Sequence, residues 1–135
     1  MYISNIKWPE NENETMKLHL SFMIKVLDNL SFKFPLDLGN PLEVARTFLA
    51  DISTEEQYIH CLEVSWNFVD DRNAIRDFKD IDILSARLAI SLLSANKDLN
   101  EVGEKLAWFF EVLDHMGIDI DMPLRLMRQH FEFKE

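Results

Sequence analysis

The feature that most constrains the fold is a run of apolar residues in the C-terminal half, spaced alternately three and four positions apart. Its members are Leu99, Val102, Leu106, Phe109, Leu113 and Met116. This spacing places the side chains on one face of an α-helix, because a helical turn takes about 3.6 residues. An apolar helix face needs another apolar surface to cover it, so the run predicts a helix packed against other helices.

Similar periodicity and helix-boundary residues recur along the rest of the chain. Helices are predicted over about residues 15–30, 41–52, 54–78, 81–95, 98–116 and 121–133. The predicted N-terminal caps are Asn40, Ser53, Asp80 and Asp98, with Glu43, Glu56 and Glu101 three residues after the first, second and fourth of them. Gly117 fits the left-handed position that ends the fifth helix.

The composition supports helices over strands. Three glycines and four prolines are too few for the many tight turns of an all-β protein. We therefore predict an all-α fold, a single compact bundle of five to six helices, with residues 1–135 forming one domain. Residues 1–8 lie before Pro9 and predict a short extended N-terminal segment whose aromatic side chains dock on the core.

The third and fourth predicted helices carry the most apolar surface. At about 100° per residue the third helix has two apolar stripes. One stripe consists of Tyr58, Leu62, Trp66 and Val69, and the other of Cys61, Val64, Phe68 and Ile75. A helix with two apolar sides is expected to lie wedged between neighbours. The fourth helix mixes leucines with alanines and serines, whose small side chains let neighbouring backbones approach, so it is expected in the interior.

The charge of the chain is concentrated in two of the predicted helices. The net charge is −10. Residues 55–77 contain six acids and two bases, and residues 98–121 contain seven acids and one base. The net charge of these two segments together equals that of the whole chain. The question of function is therefore which positively charged surface this protein binds.

We predict a partner-binding surface on the polar sides of these two helices. Its predicted residues are Glu63, Asp70, Asp71, Glu104, Trp108, Glu111 and Asp114. Like charges at helix spacing cost a few tenths of a kcal/mol per pair, and the field they create attracts cationic partners. Trp108 lies among the acids and is the predicted apolar anchor. Two alternatives stay open: the acids form an ordinary solvated face, and Trp108 packs against the N-terminal segment or the last helix.

Several classes of partner and location are disfavoured. A pI near 4.8 predicts repulsion from nucleic acids and from anionic membranes. The first 14 residues have no apolar signal core, and the apolar stretch at 88–93 is too short to span a bilayer. Cys61 is the only cysteine, so no intrachain disulfide can form. We expect a cytoplasmic protein that binds a basic protein and neither nucleic acid nor membrane.

No motif in the chain indicates a reaction. Glu56/His60 and Glu111/His115 are spaced four apart, whereas carboxylate metal sites in helical bundles use Glu-x-x-His. Cys61 lies on an apolar stripe, where a small buried thiol is the usual role. There is no glycine-rich phosphate loop. We therefore predict no enzymatic activity, no cofactor and no metal; a metal-dependent helical-bundle enzyme is the least favoured alternative.

The overall character of the chain resembles that of small, acidic, all-helical bacterial immunity proteins. The resemblance is seen in residues 65–93, SWNFVDDRNAIRDFKDIDILSARLAISLL, whose general character is similar to that of such proteins. They protect a cell from polymorphic or contact-dependent growth-inhibition toxins. The resemblance implies a non-enzymatic inhibitor that covers the basic substrate cleft of a cognate toxin, with a nuclease as the expected toxin class. The alternative from a different class is a helical regulatory or oligomerisation module, and the oligomeric state stays open.

Overall fold

The computed structural model describes residues 3–73, 76–95 and 99–134. Within those ranges the chain forms six α-helices, which confirms the predicted all-α fold. They are α1 (Glu12–Asn29), α2 (Pro41–Leu49), α3 (Glu55–Asp71), α4 (Ile81–Leu93), α5 (Val102–His115) and α6 (Asp121–His130). Short 3-10 turns lie at Ile3–Asn5, Leu36–Leu38 and Leu99–Glu101.

Helix α4 is the centre of the bundle, as its small-residue composition predicted. It packs against α1, α2, α3 and α5, and every side chain from position 83 to position 90 is buried. Its start is also as predicted: the Asp80 carboxylate accepts hydrogen bonds from the backbone amides of Asp82 and Ile83. Burial of both sides of α4 explains why its apolar residues show no single stripe.

Helix α3 is tied to α4 by a buried tyrosine. The ring of Tyr58 is fully buried and stacks on Phe48 with centroids 4.1 Å apart. Its hydroxyl donates to the Leu92 carbonyl oxygen at 2.7 Å and accepts from the Ala95 amide at 3.1 Å. One side chain therefore satisfies two backbone groups at the C-terminal end of α4.

Several predicted boundaries are wrong by a few residues. Helix α1 begins at Glu12, with the Asn11 side chain accepting from the Glu14 amide. Helix α2 begins at Pro41 after the N-cap Asn40, as predicted, but Asn40 has a left-handed conformation and its side chain makes no capping bond. The cap of α3 is Thr54, whose capping box with Gln57 replaces the predicted Ser53 and Glu56.

Two further boundaries change the picture of the acidic segments. Helix α3 ends at Asp71 rather than near residue 78, and Arg72 takes its C-cap position. Helix α5 begins at Val102, after the 3-10 turn at Leu99–Glu101. The predicted cap Asp98 and the predicted stripe residue Ile75 lie outside the described residues. The end of α5 matches the prediction: Gly117 has φ +77°, and the Ile118 amide donates to the Leu113 carbonyl oxygen.

The two ends of the described chain meet across the bundle. Ile6 forms an isolated antiparallel bridge with Phe133, and the Trp8 ring packs edge-on against Phe131 with centroids 5.0 Å apart. The predicted docking of the N-terminal segment by an aromatic is thus observed for Trp8, although Ile3–Asn5 forms a 3-10 turn. Tyr2 lies outside the described residues. Among the described helices, none has the length and apolar character needed to cross a membrane.

Candidate protein-binding surface

The structure brings a tryptophan from each acidic helix into one groove over α4. Trp66 of α3, Ile90 of α4 and Trp108 of α5 all line this space. The groove has a volume of about 360 Å³. Its full lining is Trp66, Arg87, Ile90, Ser91, Ser94, Glu104, Lys105 and Trp108. We call it the tryptophan groove.

Both tryptophans keep part of their surface open to solvent. Trp66 is 39% exposed, which corrects its predicted place on a buried stripe of the third helix. Trp108 is half-buried, and its ring contacts Phe78 edge-on with centroids 6.0 Å apart. Among the described residues, the ring partner of Trp108 therefore comes from the segment between α3 and α4, and neither from the N-terminal segment nor from the last helix. The Phe78 contact holds the indole in place at the groove.

Four of the six predicted acids lie on the same sides of their helices as the two tryptophans. At about 100° per residue, Glu63 and Asp70 lie within about 60° of Trp66 around the α3 axis, and Glu104 and Glu111 lie within about 60° of Trp108 around the α5 axis. All four are exposed. Glu104 lines the tryptophan groove directly. We call these four residues the acidic rim.

The other two predicted acids point elsewhere. Asp71 lies about 140° around α3 from Trp66, and Asp114 lies about 120° around α5 from Trp108. Both are exposed, but helix geometry directs them away from the tryptophan groove. The predicted surface is therefore divided. Trp108 and Glu104 line the groove, and Glu63, Asp70 and Glu111 lie on the same helix sides as the tryptophans, with Glu63 also lining a separate depression beside His60. Asp71 and Asp114 lie outside.

None of the six carboxylates is neutralised by a described side chain of the protein. The ion pairs between described residues involve other acids. The shortest joins Arg46 Nη2 to Asp28 Oδ1 at 2.8 Å. Arg72, which is adjacent to Asp71, instead lies over the Phe68 ring at 3.6 Å and approaches Asp37 at 4.0 Å. The acidic rim keeps its negative charge available to another molecule.

The floor of the groove differs from its rim in charge. Arg87 is buried, with its guanidinium 4.4 Å from the Phe78 ring centroid and its Nε donating to the Asp77 carbonyl oxygen at 3.3 Å. The Lys105 ammonium donates to the Ser94 carbonyl oxygen at 3.0 Å. Burial lowers the pKa of Arg87, because the charged form loses hydration there. The groove thus has two cations and the Glu104 carboxylate in its walls, and the other carboxylates of the acidic rim outside it.

The residues considered for chemistry form no metal site among the described residues. Glu56 and His60 are exposed on α3, and Glu111 and His115 are exposed on α5. Among the described residues, no three histidine, cysteine or acidic side chains come close enough to hold a metal ion. Cys61 is buried as predicted, and burial raises the pKa of its thiol, which disfavours the thiolate that a nucleophile requires.

One serine–histidine contact was missed by sequence reasoning. Ser21 Oγ lies 3.2 Å from His130 Nε2, although the two residues are 109 positions apart. His130 Nε2 also lies 3.0 Å from the Leu18 carbonyl oxygen, which can only accept a hydrogen bond. The proton on Nε2 therefore points to that carbonyl, so this nitrogen is not free to take a proton from Ser21. The contact fastens α6 to α1.

Comparisons with known proteins add no relative to this description. The chain matches no protein-family model and no curated protein sequence. It also matches no solved structure. The candidate site is therefore argued from its own geometry and charge.

Proposed function

We propose that this protein is a non-enzymatic immunity protein that binds a basic protein toxin and blocks it. The observation that carries the proposal is the acidic rim, four exposed carboxylates on the same helix sides as two accessible tryptophans, none of which forms an ion pair with another described residue. Exposed carboxylates attract a cationic surface and speed association. Partly exposed aromatic side chains ringed by polar groups are typical of binding hot spots.

A nuclease is the toxin class that fits best. A cleft that holds a nucleic-acid backbone must be basic, since each nucleotide carries a negative phosphate. A protein with a net charge of −10 and an exposed acidic rim is complementary to such a cleft. Binding there would exclude RNA or DNA from the toxin without any chemical step by the inhibitor.

Asp70 of the acidic rim supports this assignment because it does not stabilise the helix that carries it. It lies in the last turn of α3, which contains no basic residue. The C-terminal end of a helix carries partial negative charge, so carboxylates there cost roughly 0.3–1 kcal/mol each at low ionic strength. Charge retained at this position is better explained by attraction of a partner than by stability of the fold.

The test measures how well two variants of the same net charge inhibit a basic toxin that the wild-type protein binds. A rim variant carries Glu63→Gln, Glu104→Gln and Glu111→Gln. We expect its inhibition constant to rise at least tenfold at low salt, and the wild-type constant to rise about tenfold or more between 50 and 500 mM salt. Inhibition that stays constant over this salt range would refute the proposal.

The matched control removes three exposed acids far from the groove in sequence. It carries Glu10→Gln, Glu12→Gln and Glu132→Gln, so its net charge equals that of the rim variant. We expect inhibition within about threefold of wild type. Equal loss in the rim and control variants would mean that net charge alone acts, and would remove the role of the acidic rim.

A second candidate, a helical oligomerisation module, is favoured by one apolar surface. A separate groove of about 470 Å³ is lined by Phe32, Lys33, Phe34, Pro35, Ile81, Asp82, Ser85, Met116 and Ile118. Ile81 is 55% exposed, and Leu36, next to Pro35, is 96% exposed. Sedimentation that detects a dimer in wild type and a monomer in Ile81→Lys would favour this candidate, whereas a monomer at all concentrations would exclude it.

A further inference from the structure

The tryptophan groove differs chemically from the acidic rim, and this difference specifies what enters it. We infer that the groove binds one large apolar side chain of a basic partner segment, while lysines or arginines flanking that side chain contact the acidic rim. The inference rests on the proposed function, because it names the partner chemistry at the same surface. It assigns Trp66, which the sequence placed in the core, to the binding surface.

The walls of the groove are built for an apolar group. The indoles of Trp66 and Trp108 and the side chain of Ile90 all line it. Trp66 lies on the exposed flank of α3 and Trp108 is held at its edge by Phe78. A side chain placed there would contact two aromatic surfaces, and the contact of Trp108 with Phe78 lowers the entropic cost of binding at that indole.

The charges in the walls of the groove are mixed. Arg87, Lys105 and Glu104 all line the space, and the Asp77 carboxylate also attracts Arg87. The interior therefore offers a basic side chain one carboxylate beside two cations. Outside the groove the same lysine would meet Glu63, Asp70 or Glu111, which are exposed. The apolar walls therefore suit the anchor, and the exposed carboxylates suit the flanking basic residues.

The experiment compares two synthetic peptides of equal length and charge. Each has lysines on both sides of one central residue, which is leucine in the first and alanine in the second. We expect the leucine peptide to bind wild-type protein about tenfold more tightly, and to change the fluorescence of Trp66 and Trp108. Trp8, the third tryptophan of the chain, packs on Phe131 away from the groove and gives a constant background.

Variants separate the groove from the rim. Trp66→Ala should bring the leucine-to-alanine affinity ratio close to one, while both peptides still bind with salt dependence. Ser91→Leu fills the groove without loss of a hydrogen bond, since Ser91 Oγ has no partner among the described groups, and it should have the same effect. The rim variant of the previous section should weaken both peptides about equally and keep the ratio near ten.

Each result has a defined meaning. Equal affinity of wild type for the two peptides would overturn the inference and leave the proposed function standing. Equal binding of a leucine peptide whose lysines are replaced by serines would also overturn it, because the groove would then be a general apolar pocket. Failure of both lysine peptides to bind at low salt would overturn the inference together with the proposed function.

Discussion

Replacement of His19 should remove a large part of the acid sensitivity of the fold. His19 of α1 is 1% exposed, and neither ring nitrogen has a hydrogen-bond partner among the described groups. Its ring packs edge-on against Trp8 with centroids 6.2 Å apart. Burial, aided by the charge of Lys105, lowers the pKa of His19 from 6.5 to about 4.

The sign and size of the effect follow from proton linkage. Between pH 6.5 and pH 4 the unfolded chain binds a proton at this histidine and the folded chain does not, so the free energy of unfolding falls as pH falls. The pKa difference corresponds to about 3 kcal/mol in total. Between pH 7.5 and pH 5.5 about 1.4 kcal/mol of it is lost, and pH 5.5 stays above the pI of about 4.8.

The assay is urea unfolding of wild type and His19→Leu at pH 7.5 and at pH 5.5. For an ordinary urea dependence, the loss of about 1.4 kcal/mol lowers the wild-type midpoint by about 0.5–1.5 M. The variant should lose about 1.4 kcal/mol less than wild type between the two pH values, because all other titrating groups are shared. If both proteins lost the same free energy, the buried neutral histidine would not be the source of the acid sensitivity.

Three further substitutions test individual features of the fold. Tyr58→Phe leaves the Leu92 carbonyl and the Ala95 amide without their buried partner, so the free energy of unfolding should fall by about 1–3 kcal/mol; urea unfolding that changes by less than about 0.5 kcal/mol would contradict this role. Asp80→Ala removes the cap of α4 and should cost about 1 kcal/mol, seen as a lower melting temperature in calorimetry. Asp70→Asn should raise stability by a few tenths of a kcal/mol while weakening toxin binding, so a variant that loses stability would refute the proposed unfavourable charge at the end of α3.

The order of the helices and the place of α4 could be predicted because they depend on local patterns. Apolar spacing of three and four residues, a proline at the first turn of α2 and an aspartate before α4 each act through neighbouring residues. The C-terminal glycine of α5 belongs to the same group, since a positive φ at Gly117 is a local requirement. These local signals predict the helical segments, with errors of a few residues at their ends.

The errors concern choices between adjacent residues that each have a suitable side chain. Ser53 and Thr54 are both good caps, and each is followed three residues later by a side chain that can complete a capping box; the structure forms the box of Thr54 with Gln57. The end of α3 was placed too late because its apolar stripe continues in the sequence beyond Asp71. Asn73 has a positive φ of 51°. This backbone conformation ends the helix, although the apolar spacing of the sequence continues past it.

From its sequence alone this protein is an acidic helical bundle whose negative charge is carried mainly by two segments, since composition and periodicity are local properties of the chain. Only the tertiary structure decided which carboxylates share a surface. The packing of α3 and α5 on α4 brings Trp66, Trp108 and Glu104 to one groove. The local apolar pattern predicts which side of each helix is buried, but it does not say which other helix covers that side, because that choice depends on contacts between residues far apart in the sequence.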